Sequence, residues 1–93
     1  MADFSDIKTM IEQCRLNEAI GALDDLTAHS TDSLVLAHAF YLRGNAYRQL
    51  GNFRQALNSY LQAIELEPDG PAALAYRNVQ QILDFYDHDL YNP

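Results

Sequence analysis

Three histidines, one cysteine and three short runs of carboxylates are the residues in this chain that could do chemistry. His29, His38 and His88 have no metal-ligand spacing. A helical zinc site needs a second ligand one turn away, and no Cys, His or Asp stands four residues after His38. The histidines therefore read as solvent-exposed side chains. Ser30 and Ser33 belong to the run His29-Ser30-Thr31-Asp32-Ser33, where short polar side chains start a helix, so capping accounts for them. Cys14 follows Ile7, Met10 and Ile11 at helical spacing. That places it on an apolar helix face and predicts a buried, inert thiol rather than a nucleophile. Asp24-Asp25, Glu65-Glu67-Asp69 and Asp84-Asp87-Asp89 read as a solvated acidic rim. With no Gly-rich phosphate loop either, no catalytic residue, metal site or cofactor is expected, and the chain does not read as an enzyme.

What such a chain offers instead is a surface, and composition narrows what that surface can meet. Its 93 residues, 48% of them apolar, suffice for one domain with a thin core. Thirteen Asp+Glu against six Lys+Arg give a net charge of −7. That balance disfavours nucleic acid and anionic membrane, and favours a neutral or basic protein or peptide partner. The same charge also serves plain solubility. No apolar run approaches the roughly 18 residues of a membrane span. The opening MADFSDIKTM lacks the basic and apolar regions of a signal peptide, and a single cysteine allows no internal disulfide, so a cytoplasmic location is expected.

Hydropathy patterning gives helices throughout. Ile7, Met10, Ile11 and Cys14 mark a helix over residues 5–14, started by Asp3 or Ser5. Leu16, Ala19, Ile20, Leu23 and Leu26 mark another over 16–28. A third begins at Thr31, Asp32 or Ser33 and runs to Leu50. Gly51 can take the left-handed conformation that ends it, and Asn52 can cap the fourth, whose apolar positions run from Phe53 to Ile64. After Pro68-Asp69-Gly70-Pro71 a fifth helix covers 71–86, with Ala75, Val79, Ile82, Leu83 and Tyr86 inward and 87–93 as a tail. Gly44 sits mid-helix, where glycine costs about 1 kcal/mol against alanine. It therefore predicts a close approach of another helix, near Ala56 and Tyr60.

Phe40-x2-Arg43-Gly44-x2-Tyr47, then Ala56-x3-Tyr60, then Pro68 resembles the 34-residue tetratricopeptide repeat, W-x2-L-G-x2-Y, A-x3-F, P. Phe40 and Tyr60 are aromatic substitutes. Arg43 departs from the usual Leu; its methylenes can pack while its charge reaches water. Thirty-seven residues earlier, Cys14, Leu16, Ala19 and Leu23 stand where Gly51, Phe53, Ala56 and Tyr60 stand, which suggests a diverged first repeat. Thirty-four residues later, Tyr76-Arg77-Asn78 aligns with Leu42-Arg43-Gly44 as the first helix of a third. The resemblance implies an all-α stack of five antiparallel helices in a single domain over 1–93. Residues 3–29 would be a first repeat, 34–70 a second, and 71–86 a capping helix. The layout is similar to short stand-alone bacterial proteins of this family.

That resemblance implies an interaction module whose concave side, lined by the first helix of each repeat, holds a peptide or protein segment. Carried over, the groove positions are His38, Tyr41, Asn45, Arg48 and Gln49, with Lys8, Ile11 and Glu12 in the first repeat. Some family members clamp a C-terminal carboxylate with Lys, Arg and Asn. Asn45 matches such a position, Lys8 is basic where an Asn would stand, and Tyr41 replaces a Lys, so the full clamp is not expected. The alternative is a structural module that self-associates through a stack end. ILDFYDHDLY crowds apolar side chains at the C-terminus, and Phe85, Leu90 and Tyr91 would be left over once one face is buried. Either the tail folds back over Phe85, or these three form an association patch. Repulsion among Asp84, Asp87 and Asp89 across a two-fold axis favours the fold-back and a monomer over a homodimer.

Overall fold

The computed structural model describes residues 3–91, and side chains among them as far as Phe85. Five helices follow one another: α1 (Phe4–Glu12), α2 (Leu16–His29), α3 (Ser33–Gln49), α4 (Phe53–Leu66) and α5 (Ala72–Tyr91). No strand occurs among the described residues. Their starts are set by short polar side chains that occupy otherwise orphaned amides. Asp3 Oδ1 accepts from the Asp6 N–H at 2.9 Å. Asp32 Oδ1 accepts from Leu34 and Val35 at 2.9 and 3.3 Å, and Asn52 Oδ1 from Gln55 at 3.3 Å. α2 begins without a side-chain cap because the chain enters it straight from a turn.

That turn occurs twice in the same form. The Arg15 N–H reaches the Met10 carbonyl at 2.8 Å and the Cys14 N–H the Ile11 carbonyl at 3.0 Å. At the end of α3, Asn52 N–H reaches Tyr47 at 2.9 Å and Gly51 N–H reaches Arg48 at 3.0 Å. Both are Schellman closures, which need a left-handed residue at the penultimate position. Gly51 supplies it at φ 81° and Cys14 at φ 60°. Cys14 is therefore exposed in the turn rather than buried on α1. α1 stops at Glu12, so the stripe Ile7, Met10, Ile11 ends a turn earlier than its spacing suggests.

α3 is the shared helix. Ala39, Leu42 and Ala46 pack with Ile7, Ile11, Leu16, Ala19, Ile20 and Leu23 in one core cluster. A second cluster, Ala56, Tyr60, Ala63, Ala72, Ala75 and Val79, takes Phe40, Tyr41 and Tyr47 from α3 as flanking contacts. α3 meets α4 most closely at Gly44. A Cβ there would stand 2.5 Å from Tyr60 Cδ1 and 2.9 Å from Cζ, and Tyr60 is fully buried. The expected close approach is thus present, made by Tyr60. Arg43 keeps 22% of its side chain exposed. Its Nε lies 3.0 Å from Asp24 Oδ1 on α2, and its guanidinium sits over the Tyr47 ring at 5.5 Å.

α5 buries Ala75 and Val79 as expected, but its offset from α3 is 33 residues rather than 34. Buried Ala72, Ala75 and Val79 stand 33 residues after buried Ala39, Leu42 and Ala46. At 34 the counterparts would be Ala73, Tyr76 and Gln80, and Ala73 and Gln80 are exposed. One residue turns a helix by about 100°, so the alignment on Arg43 and Arg77 disagrees with the buried face, which the apolar spacing of Ala75 and Val79 had already marked. In the corrected register, α5 carries Ala73, Arg77 and Gln80 where α3 carries Phe40, Gly44 and Tyr47 for α4. With Asp84 this is a polar face, suited to closing a stack. α5 also runs to Tyr91 rather than ending at residue 86. FYDHDLY contains no helix breaker, and the first proline comes at Pro93. The backbone over 87–91 is thus helix where a tail folding back over Phe85 was expected. The side chains of Tyr86, His88, Leu90 and Tyr91 lie outside the described residues.

Two substitutions test this packing by urea unfolding. Gly44→Leu should cost about 3 kcal/mol, because the Tyr60 ring has nowhere to withdraw. Cys14→Gly should stabilise by about 1 kcal/mol by removing the left-handed cost of a side chain; an unchanged midpoint would show that Cys14 carries no strain.

Candidate functional site

α1, α3 and α5 share one spacing of positions along one face, all of them at least partly exposed except Ile11, which is buried. α1 offers Phe4, Lys8 and Ile11; α3 offers Tyr41, Asn45 and Arg48; α5 offers Leu74, Asn78 and Gln81. Each set is separated by four and then three residues, so each lies along one helix face. Taken position by position, the sets define three rows, and shared hollows bring members of the second and third rows together: Lys8, Ile11, Asn45 and Arg48 in one, Arg48, Asn78 and Gln81 in another. Phe4, Tyr41 and Leu74 form an apolar row, Lys8, Asn45 and Asn78 a polar one, and Ile11, Arg48 and Gln81 a mixed one.

The surface along these rows is hollowed in three places. Lys8, Ile11, Leu42, Asn45, Arg48 and Gln49 line a depression of about 360 Å³ between α1 and α3. Arg48, Asn78, Gln81, Ile82 and Phe85 line another of about 490 Å³ between α3 and α5. A smaller pocket of about 60 Å³ holds His38 and Tyr41 with the end of α4 and the turn into α5. Of the expected groove residues, Lys8, Asn45, Arg48 and Gln49 therefore come together, and His38 and Tyr41 line a separate pocket. Glu12 is exposed on α1 and borders neither. Phe85, expected as part of an association patch, is 67% exposed and lines the hollow shared with Arg48. Asn78, Gln81 and Ile82 were missed because α5 was read only as a capping helix, with Ile82 on its inward face. The matching triplets Ala39-x2-Leu42-x3-Ala46 and Ala72-x2-Ala75-x3-Val79 were the signal that could have found them.

The groove is wired to the core through one side chain. The Tyr60 hydroxyl donates to Asn45 Oδ1 at 2.6 Å. Burial pushes the Tyr60 phenol up to about 12, with Tyr41 adding to the rise and Arg48 opposing it. Tyr60 is thus protonated at any working pH and acts as the donor. Asn45 must present its oxygen inward, and its amide NH₂ is left for the groove. His38 is not solvent-exposed. Its ring meets the Phe4 ring edge-on at 4.4 Å and lies 6.4 Å from Tyr41. Burial lowers its pKa, Lys8 lowers it further and Glu67 pulls it back, so imidazole is the form present at neutral pH. Among the described residues, no three of His, Cys, Asp and Glu gather as metal ligands. Nor is any helix among them long and apolar enough to cross a membrane.

Paired helices joined by a Gly-closed turn, Ala and aromatic residues interlocking within each pair, and an open face built from first helices define a helical-repeat interaction protein. The tetratricopeptide repeat pattern matches residues 37–69, and the chain belongs to this family. It is similar to protein BF1650 of Bacteroides fragilis, solved in solution by NMR. The two share 42% sequence identity with a TM-score of 0.87, over 99% of this chain and 91% of that one. A search of the curated proteins gives no match.

The Tyr60 phenol supplies a pH test. Its pKa rises from 10.0 in the unfolded chain to about 12 in the fold, so the native state holds the proton more tightly. Its contribution is complete below pH 10 and is lost as pH climbs toward 12. Tyr60→Phe should cost about 1 kcal/mol at pH 7 through the lost hydrogen bond. Its stability should also fall less steeply than the parent's between pH 10 and 12. Parallel curves from chemical denaturation across that range would contradict the assignment.

Proposed function

We propose that the chain is a protein–protein interaction module that holds an extended peptide segment along α1, α3 and α5. The observation that supports this most is the recurrence of the rows, Phe4, Tyr41 and Leu74 beside Lys8, Asn45 and Asn78. An apolar row beside a row of amide and ammonium donors suits a strand-like segment, which can turn alternate side chains toward the apolar row and the backbone carbonyls of one edge toward the donors. Lys8, Asn45, Arg48 and Gln49 form the half toward α1, Arg48, Asn78, Gln81 and Ile82 the half toward α5, and His38 and Tyr41 one end. This is a binding role, and no reaction is assigned. Association through the stack end has exposed Phe85 in its favour. Against it stands the α5 face Ala73, Arg77, Gln80 and Asp84, which is polar where a stacking copy would need an apolar surface.

Tyr41 is a poor probe because it packs against both core clusters and lies 6.1 Å from the Tyr60 ring. Arg48 and Gln81 are exposed and cost little to remove. Arg48→Ala with Gln81→Ala should weaken capture of a validated partner at least tenfold, with the thermal midpoint within a few degrees of the parent. Undiminished binding, measured by calorimetry, would take the groove out of the reading.

A further inference from the structure

The small pocket at the end of the groove has a chemistry of its own. Its walls are Ala37, Ala63, Pro71 and Ala72, with Tyr41, His38 and Glu67 at the polar side. Small residues create the hollow, since larger ones on α3, α4 or α5 would fill it. Gly70 has a further role: a Cβ there would collide with Glu67 Oε1 and stand 3.1 Å from Glu67 Cδ. The Glu67 carboxylate is therefore folded back against the turn that forms the pocket wall. No Lys or Arg of the described chain pairs with it; the arginines that do form ion pairs, Arg15 and Arg43, pair with Glu18 and Asp24. Glu67 also terminates α4, where the carbonyl ends of the helix add partial negative charge.

We propose that this pocket receives the alkylammonium end of a lysine side chain from the bound segment. An apolar sleeve with a carboxylate and an aromatic face at its polar side complements a methylene chain that ends in a positive charge. Size agrees. The pocket, about 60 Å³ and open to solvent at its mouth, is narrow enough to favour an unbranched chain over a ring or a branched side chain. The charges around the pocket are Glu67 from α4 and Lys8 from α1, with His38 neutral at pH 7. The groove proposed above enters only as the source of the lysine.

The test uses the intact protein, ¹⁵N-labelled, titrated at pH 7.5 with N-acetyl-lysine methylamide. Its norleucine counterpart, which has a methylene chain but no ammonium, serves as control, and n-butylammonium chloride as a free amine. The expected result is saturable shifts at Tyr41, Gly70 and Ala72 with the lysine amide. The norleucine amide should bind at least tenfold more weakly, and Glu67→Gln should abolish the preference while leaving the thermal midpoint in place. Equal binding of both amides, a preference that survives Glu67→Gln, or no saturable shift overturns the proposal. Binding of butylammonium without the lysine amide overturns the lysine as source. If the Arg48/Gln81 variant keeps its partner while the lysine preference holds, the groove reading fails and the pocket stands.

Discussion

Tyr60 fits the fold together at the one place where α3 and α4 can come close. Its ring occupies the notch left by Gly44, with no room for even a methyl group. Burying such a ring is worth roughly 1.5–3 kcal/mol, but the phenol oxygen would be a cost if it stayed unpaired. Asn45, the next residue on α3, removes that cost by accepting a hydrogen bond from the hydroxyl. Glycine provides the space and asparagine the partner. Together they fix the distance and rotation of α4 against α3, and so the position of everything that packs beyond.

From that joint the stack builds outward in both directions. Ala39, Leu42 and Ala46 on the opposite face of α3 let α2 approach, and α1 closes over it through Ile7 and Ile11. On the other side Ala56 and Ala63 let α5 approach through Ala72, Ala75 and Val79. Alanine at these positions holds the layers close, and the molecule measures 50 × 28 × 17 Å, its least dimension about two helix layers deep. Such a stack exposes an end wherever it stops. The Ala73, Arg77, Gln80 and Asp84 face of α5 meets that need with polar side chains.

The five helices, the cap at Asn52 and the close approach at Gly44 were legible in the sequence, and the caps Asp3 and Asp32 were among the candidates it offered. Each follows from a local rule: a capping oxygen, an apolar period, or a glycine where a helix should not want one. Cys14 was misread because two local rules disagreed. Its spacing from Ile7 placed it on a helix face, whereas its alignment with Gly51 placed it in a turn, and the hydrogen-bond closure of the turn won. The α5 half of the groove was missed for a different reason. Ala75 and Val79 marked the buried face of α5 correctly, but the 34-residue alignment on Arg43 and Arg77 was one residue off, and α5 was read only as a cap. Its outward residues were therefore never set beside those of α3. The interior pattern recurs through the stack, so a site on its surface is legible only after the interior is aligned correctly.

Asn45 also ties the groove to the stability of the repeat. Its oxygen is committed to Tyr60, so its amide hydrogens are directed outward beside Lys8 and Arg48, and the middle of the groove offers donors. The pocket at the end of α3 is the opposite, with the Glu67 carboxylate and the end of α4. A segment lying from Arg48 toward His38 therefore meets donors first and a negative charge last. Acceptors of its backbone suit the first part and a cation the second. In a chain of net charge −7, distant attraction already favours a positive ligand. The arrangement of Lys8, Asn45 and Arg48 against Glu67 is what can give it a direction.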